Sequence, residues 1–216
     1  MFRKDGKRAK QKILNTQKEY ERITKEINKY SNCYIFLSVQ YYTWWKVIGH
    51  IITLGAILKK RRSRASHTAS IYKFGADPRI IEATGRYGGV NHRGLYDAYF
   101  LPQFHGKVVA YIISCNFTDR DRVKRSDRLE HKDLGTIYCA KKAYRSWFDF
   151  FKEYFKLGKE QKDTSDEVYC TDYMLDDYEI STRTQLLGNN AEITPAELGD
   201  FLNGEPAIRF IVRDTK

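Results

Sequence analysis

The sequence predicts an α+β domain in which an antiparallel sheet packs against helices, with an amphipathic helix ahead of the sheet. Short runs rich in β-branched and aromatic residues, bounded by Gly, Pro or Asp, fill the middle of the chain. Segments with apolar residues at helical spacing flank them. At 216 residues, 42% hydrophobic and 14% aromatic, the chain suffices for one hydrophobic core and is too short for two ordinary domains.

Six runs are predicted to form strands. The first, Tyr34 to Val39, is a short apolar run that is typical of a buried strand. The others are Ala65 to Phe74, Arg79 to Thr84, Gly89 to Arg93, Val108 to Ser114 and Ala207 to Arg213. Several short strands close together in sequence favour antiparallel pairing.

Helical spacing of apolar or aromatic residues predicts helices from Lys10 to Tyr30, Thr43 to Lys60 and Gly135 to Tyr154. Val168 to Leu175 is expected to begin a buried helix. From Glu192 to Leu202, Thr194 followed by Pro195 and Glu197 is a capping box, which marks a helix start. The alternating acids and bases of Thr118 to Asp133 indicate a solvated loop or a short helix.

We divide the chain into a basic helical extension, residues 1–31, and a domain, residues 32–216. The stretch from Cys33 to Leu58 is apolar enough to be considered as a membrane span. Because Gln40, Lys46 and His50 interrupt it, a buried or interfacial helix is expected instead. No apolar signal-peptide core follows the basic N-terminus, so synthesis in the cytoplasm without export is expected, with attachment to a virion or a membrane surface left open.

The formal net charge of +11 favours an anionic partner. Residues 1–31 hold ten Lys or Arg against four acids, and Lys59 to Arg64 reads KKRRSR. Such runs are usually solvated, so nucleic-acid binding is not favoured. The four cysteines are widely spaced, without a CxxC pair, so no metal site, disulfide framework or cofactor is expected.

Three residues are candidates for cysteine-based catalysis. Cys170 lies near the start of a predicted helix, where the helix dipole favours a thiolate. His67 begins a predicted strand and Glu82 lies within another. Each also has a structural interpretation: a buried cysteine, a hydrogen-bonded histidine and an edge-strand carboxylate.

Five fragments in order connect these residues: RASHTASIY, RIIEATG, GGV, VVAYIIS and VYCTDYM, followed by ITPAEL. Together they resemble the permuted, NlpC-related cysteine peptidases of the YiiX type over about residues 34–213. The resemblance implies a circularly permuted papain-like fold, with Cys170 as nucleophile, His67 as general base and Glu82 orienting His67. It leaves Tyr72, His92 and Tyr169 as possible cleft residues.

The resemblance implies a hydrolase that cleaves amide bonds, with cell-wall peptides as the favoured substrate. A lipid acyl hydrolase or acyltransferase of the same fold is one alternative. A weakly active or inactive structural protein, for example in a virion, is another. Two departures suit that second alternative: the Gly-Asp pair common in the family is absent before Tyr34, and seven acids without a base occupy residues 163–179, where they would disfavour a thiolate if close.

Overall fold

The computed structural model describes residues 2–42, 62–84, 89–114, 116–136, 170–187, 193–205 and 207–215. In these ranges the helices are α1 (Phe2–Asn28), α2 (Leu95–Tyr99), α3 (Asp119–His131), α4 (Cys170–Thr182) and α5 (Pro195–Gly204). The strands are β1 (Cys33–Tyr41), β2 (His67–Lys73), β3 (Arg79–Thr84), β4 (Gly89–Gly94), β5 (Gly106–Ser114) and β6 (Ile208–Asp214).

The strands form a six-stranded sheet in the order β4-β3-β2-β1-β5-β6, and every neighbouring pair is antiparallel. The predicted α+β class and antiparallel sheet are therefore confirmed. Strand β1 is central, paired with β2 along one edge and with β5 along the other. The circular permutation stays a prediction.

Strand β1 is apolar from Cys33 to Leu37 because helices cover both faces of the sheet there. Its odd-numbered residues, such as Ile35 and Leu37, pack with α1 and α2 in one hydrophobic cluster. Its even-numbered residues, such as Tyr34 and Phe36, pack with α3, α4 and α5 in a second cluster. Alternate residues of a strand face opposite sides, so each residue of β1 contributes to one of two helical layers. We call these the α1 face and the α4 face of the sheet.

The C-terminal part of α1 belongs to the core. Ile23 and Ile27 are completely buried against the sheet, and the hydroxyl of Tyr20 donates to Asp77 Oδ1 at 2.5 Å. Glu19 also pairs with Arg213 of β6. Residues 1–31 thus include a segment that packs on the domain, and the boundary at residue 31 stays a prediction.

The segment Thr118 to Asp133 is helical over α3, with Thr118 and Asp121 forming a capping box. The prediction of a solvated segment was wrong for one side of this helix, where Arg125 and Leu129 are buried. The reason is a buried partner for the guanidinium: Arg125 Nη2 lies 2.6 Å from Asp177 Oδ2 of α4.

Asp177 is 1% exposed and joins three elements. It also pairs with Arg128 of α3 and accepts a hydrogen bond of 2.5 Å from the Tyr34 hydroxyl of β1. Burial opposes the ionised carboxylate, but Arg125 and Arg128 outweigh it, so the pKa of Asp177 is lowered. The charged pair therefore fixes α3 and α4 on the sheet.

The other predicted strands and the predicted α5, including its capping box at Thr194, agree with the structure within a few residues. The following predictions lie outside the described residues: the helix at 43–60, the helix at 135–154 except for its first two residues, the first two residues of Val168 to Leu175, and the basic run at 59–61.

Asp177→Asn should lower the free energy of unfolding by about 3–5 kcal/mol, because it leaves two guanidinium groups near a neutral side chain. Urea denaturation measures the change. The matched control is Asp127→Asn on α3, whose side chain is 68% exposed and whose loss should cost under about 0.5 kcal/mol. Equal stabilities of the two variants would contradict a structural role for the buried pair.

Candidate active site

Strand pairing brings His67 and Glu82 to the same face of the sheet. His67 is the first residue of β2 and pairs with Val39, which packs on the α1 face. Glu82 lies two residues after Ile80, which packs on that face as well, and alternate residues share a face. Both side chains are buried, with Glu82 only 1% exposed.

Cys170, His67 and Glu82 lie together in the structure, and a hydrogen bond joins His67 to Glu82. His67 Nε2 lies 2.8 Å from Glu82 Oε2, which leaves Nδ1 of the same ring for the thiol. The Cys170 thiol, on the first residue of α4, lies close enough to His67 and Thr68 for both to lower its pKa, and its sulfur is 4.0 Å from Thr171 Oγ1. The structure therefore brings together the three residues that the sequence motifs selected.

Arg93 of β4 is a fourth member that the sequence motifs did not reveal. Its Nε donates to Glu82 Oε1 at 2.8 Å, and its Nη2 lies 2.5 Å from the same oxygen. One oxygen of Glu82 thus binds Arg93 and the other binds His67. Arg93 lies on the same face of the sheet as Glu82, because Glu82 pairs with Asn91 and alternate residues of a strand share a face. The sequence shows the alternation within β4 but not its pairing with β3.

These contacts set the pKa values of His67, Cys170 and Glu82. Burial favours the neutral imidazole of His67, but hydrogen bonds to Cys170 and Glu82 outweigh it and raise its pKa to about 9. Burial also opposes ionisation of Cys170, yet the hydrogen bond and charge of His67, with Thr68, lower the pKa of the thiol. The pKa of Glu82 is lowered in the same way, against burial, by His67 and Arg93. The arrangement favours a thiolate beside an imidazolium.

The acids near Cys170 in sequence do not all oppose this thiolate. Asp177, two turns further along α4, is bound by Arg125 and Arg128, so its charge is compensated locally. Asp166 and Glu167 lie outside the described residues. The first turn of α4 also carries Asp172, which acts against the favourable end of the helix dipole.

The possible cleft residues lie elsewhere or are not described. Tyr72 is five residues from His67 along β2, about 16 Å at strand rise, and its hydroxyl donates to Glu130 of α3. His92 packs beside Tyr72, with ring centroids 6.5 Å apart. It faces away from Glu82 because its strand partner is Ile81. Neither residue is placed against the Cys170–His67 pair, and Tyr169 lies outside the described ranges.

No group of three or more His, Cys, Asp or Glu side chains suited to a metal ion occurs among the described residues. Within the same ranges, no helix is both long and apolar enough to cross a membrane.

No family model matches the chain, and no curated protein matches it. Among solved structures, it is similar to the metalloprotein yiiX from Escherichia coli O157:H7, with a TM-score of 0.45 and 15% identity. The similarity covers 72% of this chain and 68% of the other.

Glu82→Gln should lower the pKa of His67 from about 9 by about 1 to 3 pH units, because the imidazolium loses an adjacent negative charge. NMR titration of the His67 ring measures the shift. The matched control is Glu130→Gln, which removes a carboxylate that raises the pKa of His92. It should affect His92 and leave His67 unchanged. A His67 pKa that is the same in wild type and Glu82→Gln would refute the proposed coupling.

Proposed function

We propose that the chain is a cysteine-nucleophile hydrolase that cleaves an amide or ester through a thioester on Cys170. The observation that carries the proposal is the series Cys170–His67–Glu82–Arg93, in which Glu82 binds His67 and Arg93 on separate oxygens and the first three residues are buried. Thiolates are the nucleophilic form of cysteine, and a positioned histidine is the usual means of obtaining one at neutral pH.

In the first step, the Cys170 thiolate attacks the substrate carbonyl carbon. A C–S bond forms, and the carbonyl π pair moves to the oxygen. As the C–N or C–O bond breaks, the His67 imidazolium gives its proton to the leaving amine or alcohol. In the second step, neutral His67 takes a proton from water, whose oxygen attacks the thioester, and the departing thiolate restores the starting pair.

Glu82 and Arg93 act through His67. Glu82 holds the ring with Nε2 towards itself at 2.8 Å, so Nδ1 stays directed to the sulfur. Arg93 keeps Glu82 ionised despite its burial. The backbone N–H of Cys170 belongs to the first turn of α4, where amides lack a partner within the helix, and it is our candidate donor to the oxyanion.

The second candidate is a structural protein that keeps this arrangement without catalysis. One observation favours it: Cys170 is only 2% exposed, and a buried thiol is inert unless a substrate can reach it. The two departures from the family pattern, which are the missing Gly-Asp pair and the acids after residue 163, also favour a structural protein. A reactive Cys170 would exclude this alternative.

The proposed mechanism names the scissile bond as an amide or an ester, and the rest of the substrate is a separate proposal. Cell-wall peptides are the substrate that the sequence resemblance favours, and fatty acyl groups are the alternative. An anionic partner held by the basic segments of the chain is compatible with either one.

Incubation with a p-nitrophenyl acyl ester should acylate Cys170, detected as one added acyl mass that maps to its peptide. Cys170→Ala should remove the adduct, and His67→Ala should slow acylation by about 10²–10⁴-fold. Cys33→Ala is the matched control, since Cys33 is the second buried free cysteine among the described residues, and it should acylate at the wild-type rate. Acylation that survives Cys170→Ala, or that does not depend on His67, would overturn the proposal.

A further inference from the structure

A groove of about 450 Å³ crosses the α4 face of the sheet over β1, β5 and β6. Its floor includes Ser38, Val109 and Ile211, which are direct neighbours on those three strands. The segment before β2 and the helix α5 supply the walls. Asp200 of α5 accepts hydrogen bonds from the backbone N–H groups of Arg62 and Ser63, at 3.2 and 2.6 Å.

The groove is a built feature rather than a gap between loosely packed elements. Gly199 of α5 lies so close to Ser63 that a Cβ there would collide with the Ser63 hydroxyl. The Tyr111 hydroxyl and Arg209 Nη1 both donate to Asn203 Oδ1, at 3.2 and 2.7 Å. Strand β6 and helix α5 are thereby joined at the far end.

Four cationic side chains line this groove: Arg62, Arg64, Lys107 and Arg209. In the part of the chain that the structure describes, none of the four forms a salt bridge. Asp200 of α5 does not line the groove, and its carboxylate accepts the two backbone N–H groups. Hydroxyl and amide groups from Ser38, Gln40 and Tyr111 are interspersed among the cations. Such a lining suits a multiply charged oxyanion.

The groove and the nucleophile are linked through strand β2. Cys170 does not line the groove, but Thr68, which lies close enough to Cys170 to lower the pKa of its thiol, pairs directly with Ser38 on the groove floor. Thr68, Ser38, Val109 and Ile211 therefore form one row across four strands, about 14 Å long at the usual strand spacing. Thr68 and Cys170 are each only 2% exposed, so a substrate that joins the cationic lining to the thiol must displace the side chains that cover this end of the row.

We propose that this groove binds the phosphate group of a phosphorylated acyl substrate whose amide or ester carbonyl lies at Cys170. Three forked guanidinium groups and an ammonium exceed what a single carboxylate requires and match a phosphate, which carries close to two negative charges near neutral pH. The phosphate takes no part in bond breaking. The assignment of this ligand as substrate rests on the proposed function, whereas phosphate binding does not.

The test measures binding separately from catalysis, using the full chain with Cys170→Ser. Inorganic phosphate and glycerol 3-phosphate are titrated by calorimetry at constant ionic strength. Arg64→Gln with Arg209→Gln should weaken phosphate binding at least about tenfold, because two charge-assisted contacts are lost. Lys107→Gln is a second, milder variant that should weaken it in the same direction.

The matched control is Arg120→Gln with Lys124→Gln, two exposed cations of α3 that remove the same net charge outside the groove. It should bind phosphate as the parent does. Absence of saturable binding, or an equal loss in the control pair, would overturn the groove as a phosphate site and indicate attraction by net charge alone.

A further arm distinguishes the source of the phosphate. Short-chain phosphatidic acid, kept below its micelle concentration, binds more tightly than glycerol 3-phosphate if the ligand is a lipid headgroup, and equally if it is a soluble phosphate ester. Phosphate binding with an unreactive Cys170 would refute the hydrolase and retain the site. A reactive Cys170 without phosphate binding would refute the phosphate site and retain the hydrolase.

Discussion

The register of β1 is the constraint on which the rest of the structure depends. Pairing of Val39 with His67 and of Ser38 with both Thr68 and Val109 assigns every neighbouring side chain to one face or the other. A slip of one residue would exchange the faces, moving Ile35 and Leu37 out of one helical layer and Tyr34 and Phe36 out of the other. Because both faces are buried, either exchange would expose or misplace large apolar side chains, so the register is strongly specified. The positions of His67 on the α1 face and of the basic groove on the α4 face follow from it.

The second constraint is electrostatic. Glu82 places a negative charge where only 1% of the residue is exposed, and such a charge persists only with direct partners. His67 and Arg93 supply them on separate oxygens. Asp177 is likewise a buried carboxylate with two direct partners, Arg125 and Arg128. In one case the buried carboxylate fixes helices on the sheet, and in the other it holds an imidazole beside a thiol. The difference lies in the partner: a guanidinium keeps its proton, whereas an imidazole exchanges it near neutral pH.

Much of the sheet was predictable because its strands are short apolar or alternating runs between Gly, Pro and Asp signals, as at Arg79 to Thr84. The capping box at Thr194 was predictable from three residues alone. The buried side of α3 was not, since its alternating charges describe a solvated segment unless Asp177, 52 positions further along the chain, is known to face Arg125. For the site, the order of five short motifs selected Cys170, His67 and Glu82. Arg93 was not selected because its role depends on the pairing of β3 with β4. Arg62 and Arg64 stood out as part of a basic run, but their meeting with Lys107 of β5 and Arg209 of β6 depends on the fold.

The pH dependence of Cys170 alkylation by iodoacetamide tests the central claim most directly, because it reports the thiolate without requiring a substrate. Cys170 should be alkylated at pH values below the ordinary cysteine pKa of about 8.5, since the pKa of its thiol is lowered. A second inflection is expected near pH 9, where His67 loses its proton. In His67→Ala, both features should be replaced by a single titration at or above the ordinary value, because burial then opposes the thiolate without the hydrogen bond and charge of His67. A single inflection at or above about 8.5 in the wild type, unchanged in His67→Ala, would contradict an activated Cys170–His67 pair.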